Sequence, residues 1–223
     1  MKRFKILKDL RRTYEFGMIS KSDLLLDPIE QFKKWFSQLE SLDSPSWFEP
    51  NAMTLSTASV TDSAQARVTS RIVLLKYING DSFVFFTNYS SGKANQLELN
   101  SSAALNFHWG ICDQQVRIEG VVSKTDRKIS DEYFHARPET SQLGAIVSPQ
   151  SKVITDDFDL GARLSDLEKQ YAGKAIPRPE NWGGYQLKPR VIEFWQGKPS
   201  RLHDRFRYTR SDDSNWVIER LAP

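Results

Sequence analysis

The chain has few of the residues and motifs that mark several large classes of protein. Cys112 is its one cysteine among 223 residues, so the chain can form no intrachain disulfide and no multi-cysteine metal site. Its three histidines, His108, His135 and His203, lack metal-ligand spacing. No apolar run approaches the roughly 20 residues that cross a bilayer, and neither a G-x-G-x-x-G nor a Walker-type loop occurs. These absences argue against a metal enzyme, a membrane protein and a Rossmann or nucleoside-triphosphate site, and the single cysteine favours the reducing cytoplasm.

The composition is that of an ordinary globular protein, with 39% hydrophobic and 26% charged residues. A net charge of +3 is too weak and too scattered to indicate a nucleic-acid-binding protein, although it suits small anionic ligands. Residues 1–26 are basic at their start but show no secretory-signal pattern, so we interpret them as a flexible arm. We expect one domain over residues 27–223.

The apolar pattern predicts a mainly β fold with added helices. Strands are predicted over residues 53–59, 68–78, 82–87, 103–109, 115–122, 184–187, 191–195, 205–209 and 216–220. Helices are predicted from Asp27-Pro28, over 91–99 and 126–136, after Pro138, and over 156–171. Many short strands, with a hairpin signal at Asn79-Gly80, indicate an antiparallel sheet that curls into a barrel.

A basic segment near the C-terminus is the first candidate site. If residues 201–205 are extended, Arg201, His203 and Arg205 point to one side of the strand. Neighbouring cations repel one another, so an anion or an electron-rich ring between them is the natural guest. A solvated basic strand is the alternative, and this segment alone does not decide between them.

Three further segments carry candidate anion-binding residues. Arg71 and Lys76 bracket an apolar strand at an odd separation and so cannot share a face, although charges that merely flank a buried strand remain the alternative. Residues 86–93 run from a strand into a helix and gather hydroxyls and Lys93 at its N-terminus, where helix capping by the serines is an equal explanation. Tyr133 and Arg137 share a helical face, with Ser141 within reach, which indicates either a phosphate site or an ordinary surface pair.

These segments, taken in order, resemble the pyridoxine/pyridoxamine 5′-phosphate oxidase family from about Arg11 to the C-terminus. The resemblance is carried by residues 71–76, 133–138, 182–184, 192–197, 201–205 and 220–223. It implies a split β-barrel homodimer with one FMN per site at the subunit interface. It also implies two sets of ligand-binding residues. The FMN set is Arg71, Ile72, Val73, Leu74, Leu75, Lys76, Phe86, Thr87, Lys93, Gln115, Gln150, Ser151, Trp195 and Arg205. The substrate set is Lys76, Tyr133, Arg137, Ser141, Arg201 and His203, with Arg11 to Tyr14 as a lid.

The activity implied by the resemblance is an oxidation in vitamin B6 metabolism. Pyridoxamine 5′-phosphate and pyridoxine 5′-phosphate would be converted to pyridoxal 5′-phosphate by hydride transfer to FMN, with O2 reoxidising the flavin to give H2O2. Arg201 and His203 would be the catalytic residues. Two alternatives remain: a split-barrel flavin reductase that acts on another substrate, and a non-catalytic protein that binds FMN or pyridoxal phosphate.

The chain departs from the family pattern at Gly92, where the family usually has Arg beside Lys93. A hydrogen bond to a charged group is worth roughly 1.5–3 kcal/mol. We therefore expect FMN affinity to be weaker by about tenfold or more than with Arg at this position.

Overall fold

The structure is a computed structural model that describes residues 10, 12–60, 65–211 and 215–223. Within these residues the α-helices are α1 (Pro28–Glu40), α2 (Gly92–Leu99), α3 (Arg127–Ala136), α4 (Glu139–Val147) and α5 (Leu160–Tyr171). The strands are β1 (Ala52–Val60), β2 (Ala66–Leu74), β3 (Tyr77–Asn79), β4 (Ser82–Asn88), β5 (Ser102–Trp109), β6 (Gln114–Lys124), β7 (Trp182–Gln196), β8 (Asp204–Arg210) and β9 (Trp216–Leu221). In the described part of the chain, no helix has both the length and the apolar character needed to span a membrane.

The strands form a mostly antiparallel sheet. Along it β2, β1, β5, β6, β7, β4 and β3 follow one another, while β8 pairs with β7 and β9 pairs with β8. The register sets Ala52 opposite Leu74 in the first hairpin and Trp195 opposite Arg205 between β7 and β8. The prediction of a mainly β, antiparallel fold with added helices is confirmed.

Contacts divide the chain into two compact units. Of the described residues, those within 1–50, 106–118 and 190–223 form the first unit, and those within 51–105 and 119–189 form the second. The prediction of an arm over 1–26 and a single domain over 27–223 stays a prediction.

Helix α1 supplies much of the apolar core of the first unit. It begins where predicted, because Asp27 accepts a hydrogen bond from the Ile29 N–H at 2.7 Å and Pro28 occupies the first turn. Phe32 and Trp35 are both buried, and Trp35 packs edge-on against Phe194 with ring centroids 5.1 Å apart. The apolar side of α1 is therefore a packing surface.

Strand bounds differ from the predictions where the chain changes partners. The predicted strand 68–78 is two strands, since the Leu75 N–H donates to Asn51 O and the Lys76 N–H donates to Val84 O. Conversely, the predicted runs 184–187 and 191–195 are one strand, β7. Pro189 is tolerated there because pairing with β4 ends at Leu187 and pairing with β8 begins at Val191. Helix α5 begins later than predicted, at Leu160.

Candidate active site

A cavity of about 500 Å³ in the second unit, here named the Arg137 cavity, collects four of the predicted substrate-binding residues. Three of its lining residues are cations, and none of the described lining residues is acidic. Unopposed positive charge of this kind is suited to an anion. The lining consists of Ile72, Val73, Leu74, Lys76, Phe86, Thr87, Lys93, Tyr133, Arg137, Pro138, Ser141, Gln150 and Trp182.

Arg137 is the cation best prepared for an anion in this cavity. It caps the C-terminus of α3, and its guanidinium lies 4.7 Å from the centre of the Trp182 ring. Burial lowers the pKa of Arg137, with the neighbouring Tyr133 acting in the opposite direction. Its Nη1 is buried and has no hydrogen-bond partner among the described residues. A buried donor without a partner is costly in free energy, so a ligand oxygen that accepts a hydrogen bond from Nη1 would remove this cost.

Stacked aromatic rings form one side of the same cavity. Phe86 stacks on Tyr133 with centroids 4.0 Å apart, and Trp182 stacks on Phe86 at 5.5 Å. Lys76 Nζ lies 5.9 Å from the centre of the Tyr133 ring. The rings hold the side chains in place and offer a flat apolar surface beside the cations, which suits a planar phosphorylated ring.

A second cavity in the same unit, of about 670 Å³, is here named the Arg71 cavity. It shares Ile72, Lys93 and Gln150 with the Arg137 cavity, so the two lie next to each other. None of its described lining residues is acidic. The lining consists of Ser59, Arg67, Thr69, Arg71, Ile72, Gly92, Lys93, Asn95, Gln96, Gln150 and Ser151.

Arg71 is fixed in this cavity by neutral oxygen atoms. Its Nη1 donates to Thr57 Oγ1 at 2.7 Å and to Leu55 O at 3.2 Å, and its Nη2 donates to Thr69 Oγ1. Gln96 Oε1 in turn accepts hydrogen bonds from both threonine hydroxyls. Burial lowers the pKa of Arg71. The network orients the guanidinium but leaves its charge without a carboxylate among these partners.

Lys93 lies between the two cavities. Its Nζ donates to Thr87 Oγ1 at 2.9 Å, to Gln150 Oε1 at 3.0 Å and to Ser91 Oγ at 3.2 Å. Burial, with repulsion from Arg71 as the second cause, lowers the pKa of Lys93 to about 8. Ser91 occupies the N-cap position of α2, but its side chain makes no capping hydrogen bond. The hydroxyl is instead an acceptor for the lysine.

The predicted cluster of Arg201, His203 and Arg205 on one extended face is wrong. Ser200 and Arg201 have φ values of +57° and +60°, so the chain turns here, and β8 begins only at Asp204. A left-handed backbone at a non-glycine residue is rare, so the alternating sequence pattern does not predict this turn. Arg205 is on the strand, while Arg201 lies in the preceding turn.

His203 is held in a defined tautomer within the first unit. Its Nδ1 accepts a hydrogen bond from the Lys198 N–H at 3.1 Å, so a neutral ring carries its proton on Nε2. Burial, followed by repulsion from Arg201, lowers the pKa of His203 and favours this neutral form. The ring packs against Trp195 at 4.6 Å and against the edge of Tyr14 at 5.2 Å. His203 therefore presents a fixed N–H donor.

Arg205 is already paired within the first unit. Its Nε donates to Glu193 Oε1 at 2.8 Å and its Nη1 donates to Ala222 O at 2.9 Å. The hydrogen bond to Glu193 raises the pKa of Arg205, and Glu193 is only 5% exposed. The buried carboxylate holds the guanidinium in place and compensates part of its charge.

Two buried carboxylates anchor the segment proposed as a lid. Asp113 pairs with Arg12 and accepts from the Glu15 N–H at 3.1 Å, and Asp204 accepts from the Ile19 N–H at 3.2 Å. Tyr14 is thereby placed against Trp195, at 5.7 Å. Arg11, the other predicted substrate residue of this segment, lies outside the described residues.

Two family profiles match the chain. The profile described as "Pyridoxamine 5'-phosphate oxidase" matches residues 45–171, and the one described as "Pyridoxine 5'-phosphate oxidase C-terminal dimerisation region" matches residues 182–223. The chain belongs to the pyridoxine/pyridoxamine 5′-phosphate oxidase family. The family predicted from the sequence is confirmed.

Relatives in this oxidase family match over nearly the whole chain. The pyridoxine/pyridoxamine 5′-phosphate oxidase of Rhodopirellula baltica is 48% identical over 220 residues, which cover 97% of this chain and 96% of that protein. The protein of the same name from Paraburkholderia phymatum is 48% identical over 217 residues, which cover 97% of this chain and 99% of that protein.

Solved structures agree with the predicted fold. PhzG from Burkholderia lata, in complex with tetrahydrophenazine-1-carboxylic acid, has a TM-score of 0.82 at 28% identity and covers 91% of this chain and 95% of its own. A pyridoxamine 5′-phosphate oxidase-related, FMN binding protein from Nostoc punctiforme has a TM-score of 0.68 at 16% identity. The match covers 89% of this chain and 98% of that protein's chain. The predicted split β-barrel class is confirmed.

The predicted site residues of this oxidase-family chain fall in both units. Lys76, Tyr133, Arg137 and Ser141 meet in the Arg137 cavity, whereas Arg71 and Ser151 line the Arg71 cavity. Leu75 lines neither cavity and is buried. The members in the first unit are Tyr14, Gln115, Trp195, Arg201, His203 and Arg205. Gln115 is half-buried in β6.

Sequence reasoning missed several residues of the two cavities. The sequence shows Trp182 only as part of a motif, whereas in the structure Trp182 stacks in the Arg137 cavity beside Arg137. Arg67 and Thr69 also belong to the site, and the sequence carries a signal for them, because their alternate spacing with Arg71 places all three on one face of β2. Gln96 joins the site through hydrogen bonds that no sequence spacing indicates.

Proposed function

We propose that this protein oxidises pyridoxamine 5′-phosphate and pyridoxine 5′-phosphate to pyridoxal 5′-phosphate, with FMN as cofactor. The observation that supports this most is the pair of adjacent cavities, each lined by three cations and, among described residues, by no acid. Two such cavities suit two phosphorylated molecules held side by side. The names of relatives that are 48% identical over nearly their full length support the same reaction.

The Arg71 cavity fits the phosphate of FMN. The pKa of Lys93, lowered to about 8 by burial and by Arg71, indicates positive charge that lacks a counter-ion. Arg71, Lys93 and Ser151 would hold the phosphate. The flavin ring would be held by the other predicted residues: Ile72, Val73, Leu74, Leu75, Lys76, Phe86, Thr87, Gln115, Gln150, Trp195 and Arg205.

The Arg137 cavity fits the phosphate of the substrate. Arg137 offers a buried Nη1 without a partner, and Lys76, Tyr133 and Ser141 add a charge and two hydroxyls beside it. Charge-assisted hydrogen bonds from this group would fix the phosphate, so the aromatic ring of the substrate is oriented rather than merely captured.

The chemistry divides between cofactor and protein. When bound, FMN supplies the hydride acceptor and the reaction with O2 that yields H2O2. In total, the amine, O2 and water give the aldehyde, ammonia and H2O2, whereas the alcohol and O2 give the aldehyde and H2O2. We assign Arg201 and His203 to the substrate, with the His203 Nε2–H as a fixed donor, while Tyr14 and Arg11 close over it. Arg205, held by Glu193, would place a positive charge beside the flavin.

The functional unit would be a homodimer. The match of residues 182–223 to a C-terminal dimerisation region supports this assembly. We further propose that FMN binds at the subunit interface. The proposed cytoplasmic location rests on the single cysteine.

A direct assay tests the proposed function. The purified protein is incubated with FMN, its visible spectrum is recorded, and pyridoxamine 5′-phosphate is added in air without any nicotinamide. Aldehyde and peroxide should appear in equal amounts, and pyridoxamine without phosphate should react far more slowly. Protein that binds no flavin would refute the proposal. Turnover that requires a nicotinamide donor would instead favour the flavin-reductase alternative, and flavin binding without turnover would favour the non-catalytic one.

A further inference from the structure

One cation of the Arg71 cavity has no role in the proposed function so far. Arg67, Thr69 and Arg71 alternate along β2 and line the cavity together, with Ser59, the β1 partner of Arg67, beside them. The Arg67 side chain is exposed and makes no hydrogen bond or ion pair with any residue that the structure describes. None of its five guanidinium donors is therefore committed to a described residue.

The other two cations have committed much of their hydrogen-bonding capacity. Arg71 donates to Leu55 O, to two threonine hydroxyls and to Gln96, and Lys93 Nζ donates to three neutral oxygens. A phosphate dianion takes several charge-assisted hydrogen bonds. The cavity supplies the required positive charge, but the guanidinium N–H groups that are not already hydrogen-bonded to described residues come chiefly from Arg67.

Gly92 leaves an open space in the same lining. A Cβ at this position would meet Ser151 Oγ at 3.8 Å and Ser151 Cβ at 3.9 Å, which are ordinary contacts, so nothing in the backbone excludes a side chain. The first residue of α2 nevertheless contributes no donor other than its backbone N–H. Arg67 on β2 lines the same cavity as Gly92.

We propose that Arg67 binds the phosphate group of FMN and supplies the guanidinium that position 92 lacks. The proposal rests on the proposed function, because it takes FMN as the occupant of the Arg71 cavity. It also changes the expectation for Gly92. The glycine does not weaken FMN binding by itself, since the missing cation is provided from the neighbouring strand.

Flavin titrations of the full-length apoprotein test this proposal. FMN and riboflavin, which differ by the phosphate alone, are titrated against the wild type and Arg67→Gln, with Arg127→Gln on α3 as a control that removes an exposed arginine outside the cavity linings. Arg67→Gln should raise the Kd for FMN about five- to tenfold, allowing for screening at an exposed site, and leave riboflavin binding unchanged. Arg127→Gln should change neither.

A rescue variant makes the test sharper. Gly92→Arg should restore FMN binding in the Arg67→Gln background but tighten it little in the wild type, because the two arginines serve one phosphate and their effects are not additive. If Arg67→Gln binds FMN as the wild type does, while the wild type still prefers FMN to riboflavin, the role of Arg67 is refuted and the proposed function stands. Equal loss of FMN and riboflavin also refutes that role. A wild type that binds neither flavin refutes both proposals.

Discussion

The lowered pKa of Lys93 predicts that FMN affinity depends on pH in a way that riboflavin affinity does not. In the free protein, burial and Arg71 lower this pKa to about 8. A phosphate dianion beside Nζ would raise it again, because an opposite charge favours the protonated lysine. Binding therefore takes up a proton above about pH 8. FMN affinity is therefore highest below about pH 8 and falls as the pH rises above this value.

The size of the effect follows from the two protonation states. The pKa of Lys93 is about 8 in the free protein. If the phosphate restored it fully to the ordinary lysine value of about 10.4, the Kd for FMN would rise about 20-fold between about pH 7.5 and about pH 9.5, which is the upper limit. Lys93 is only partly buried, so solvent screening reduces this to about tenfold. The assay is flavin-fluorescence titration across that range, with riboflavin in parallel to remove any titration of the ring itself.

A matched variant separates Lys93 from the other groups of the site. Lys93→Arg keeps the charge at every pH in the range, so its FMN affinity should stay level where that of the wild type falls. The reasoning is refuted if Lys93→Arg shows the same fall as the wild type, or if riboflavin binding weakens with pH as steeply as FMN binding.

Substitutions at Arg137, Trp182 and Arg205 test the rest of the site. Arg137→Lys removes the planar guanidinium group with its buried Nη1. It should raise the KM for pyridoxine 5′-phosphate about tenfold in steady-state kinetics and leave the Kd for FMN unchanged. A rise in the Kd for FMN instead would contradict the assignment. Trp182→Leu, which removes the ring 4.7 Å from that guanidinium, should raise the same KM about threefold with kcat nearly constant, and Trp182→Phe should have a smaller effect. Arg205→Ala leaves buried Glu193 without its closest partner and should lower the free energy of unfolding of the apoprotein, measured in urea, by about 2 kcal/mol. Adding Glu193→Gln should recover part of this loss. An unchanged urea midpoint would contradict the pairing.

Local patterns were sufficient for much of the fold and for one cavity. The start of α1 follows from Asp27 and Pro28, whose chemistry acts within one helical turn. Tyr133, Arg137 and Ser141 line one cavity because helical spacing brings residues four apart to one face and Pro138 separates α3 from α4. Both inferences use interactions between near neighbours in sequence, which a single sequence can indicate.

Distant or unusual contacts could not be predicted in this way. The turn at Arg201 depends on positive φ values at two non-glycine residues, which alternation does not indicate. The pairing of Arg205 with Glu193 depends on the register of β7 and β8, and a register cannot be known before the strands are paired. The sequence therefore did not indicate that the nearest charged partner of Arg205 is a buried carboxylate.

The chain changes strand partners between Arg71 and Lys76. This change explains both why the two cations line different cavities and why the cavities are adjacent. β2 ends at Leu74, and the next two N–H groups donate to Asn51 O and Val84 O, so the chain leaves one strand pair for another between the two cations. Arg71 then lines one cavity and Lys76 the other, with Lys93 lining both. Two phosphate dianions held this close repel each other, and a shared cation between them lowers that repulsion as well as binding each one. Loss of the charge at Lys93 should therefore weaken the second ligand more when the first is already bound than when it is absent.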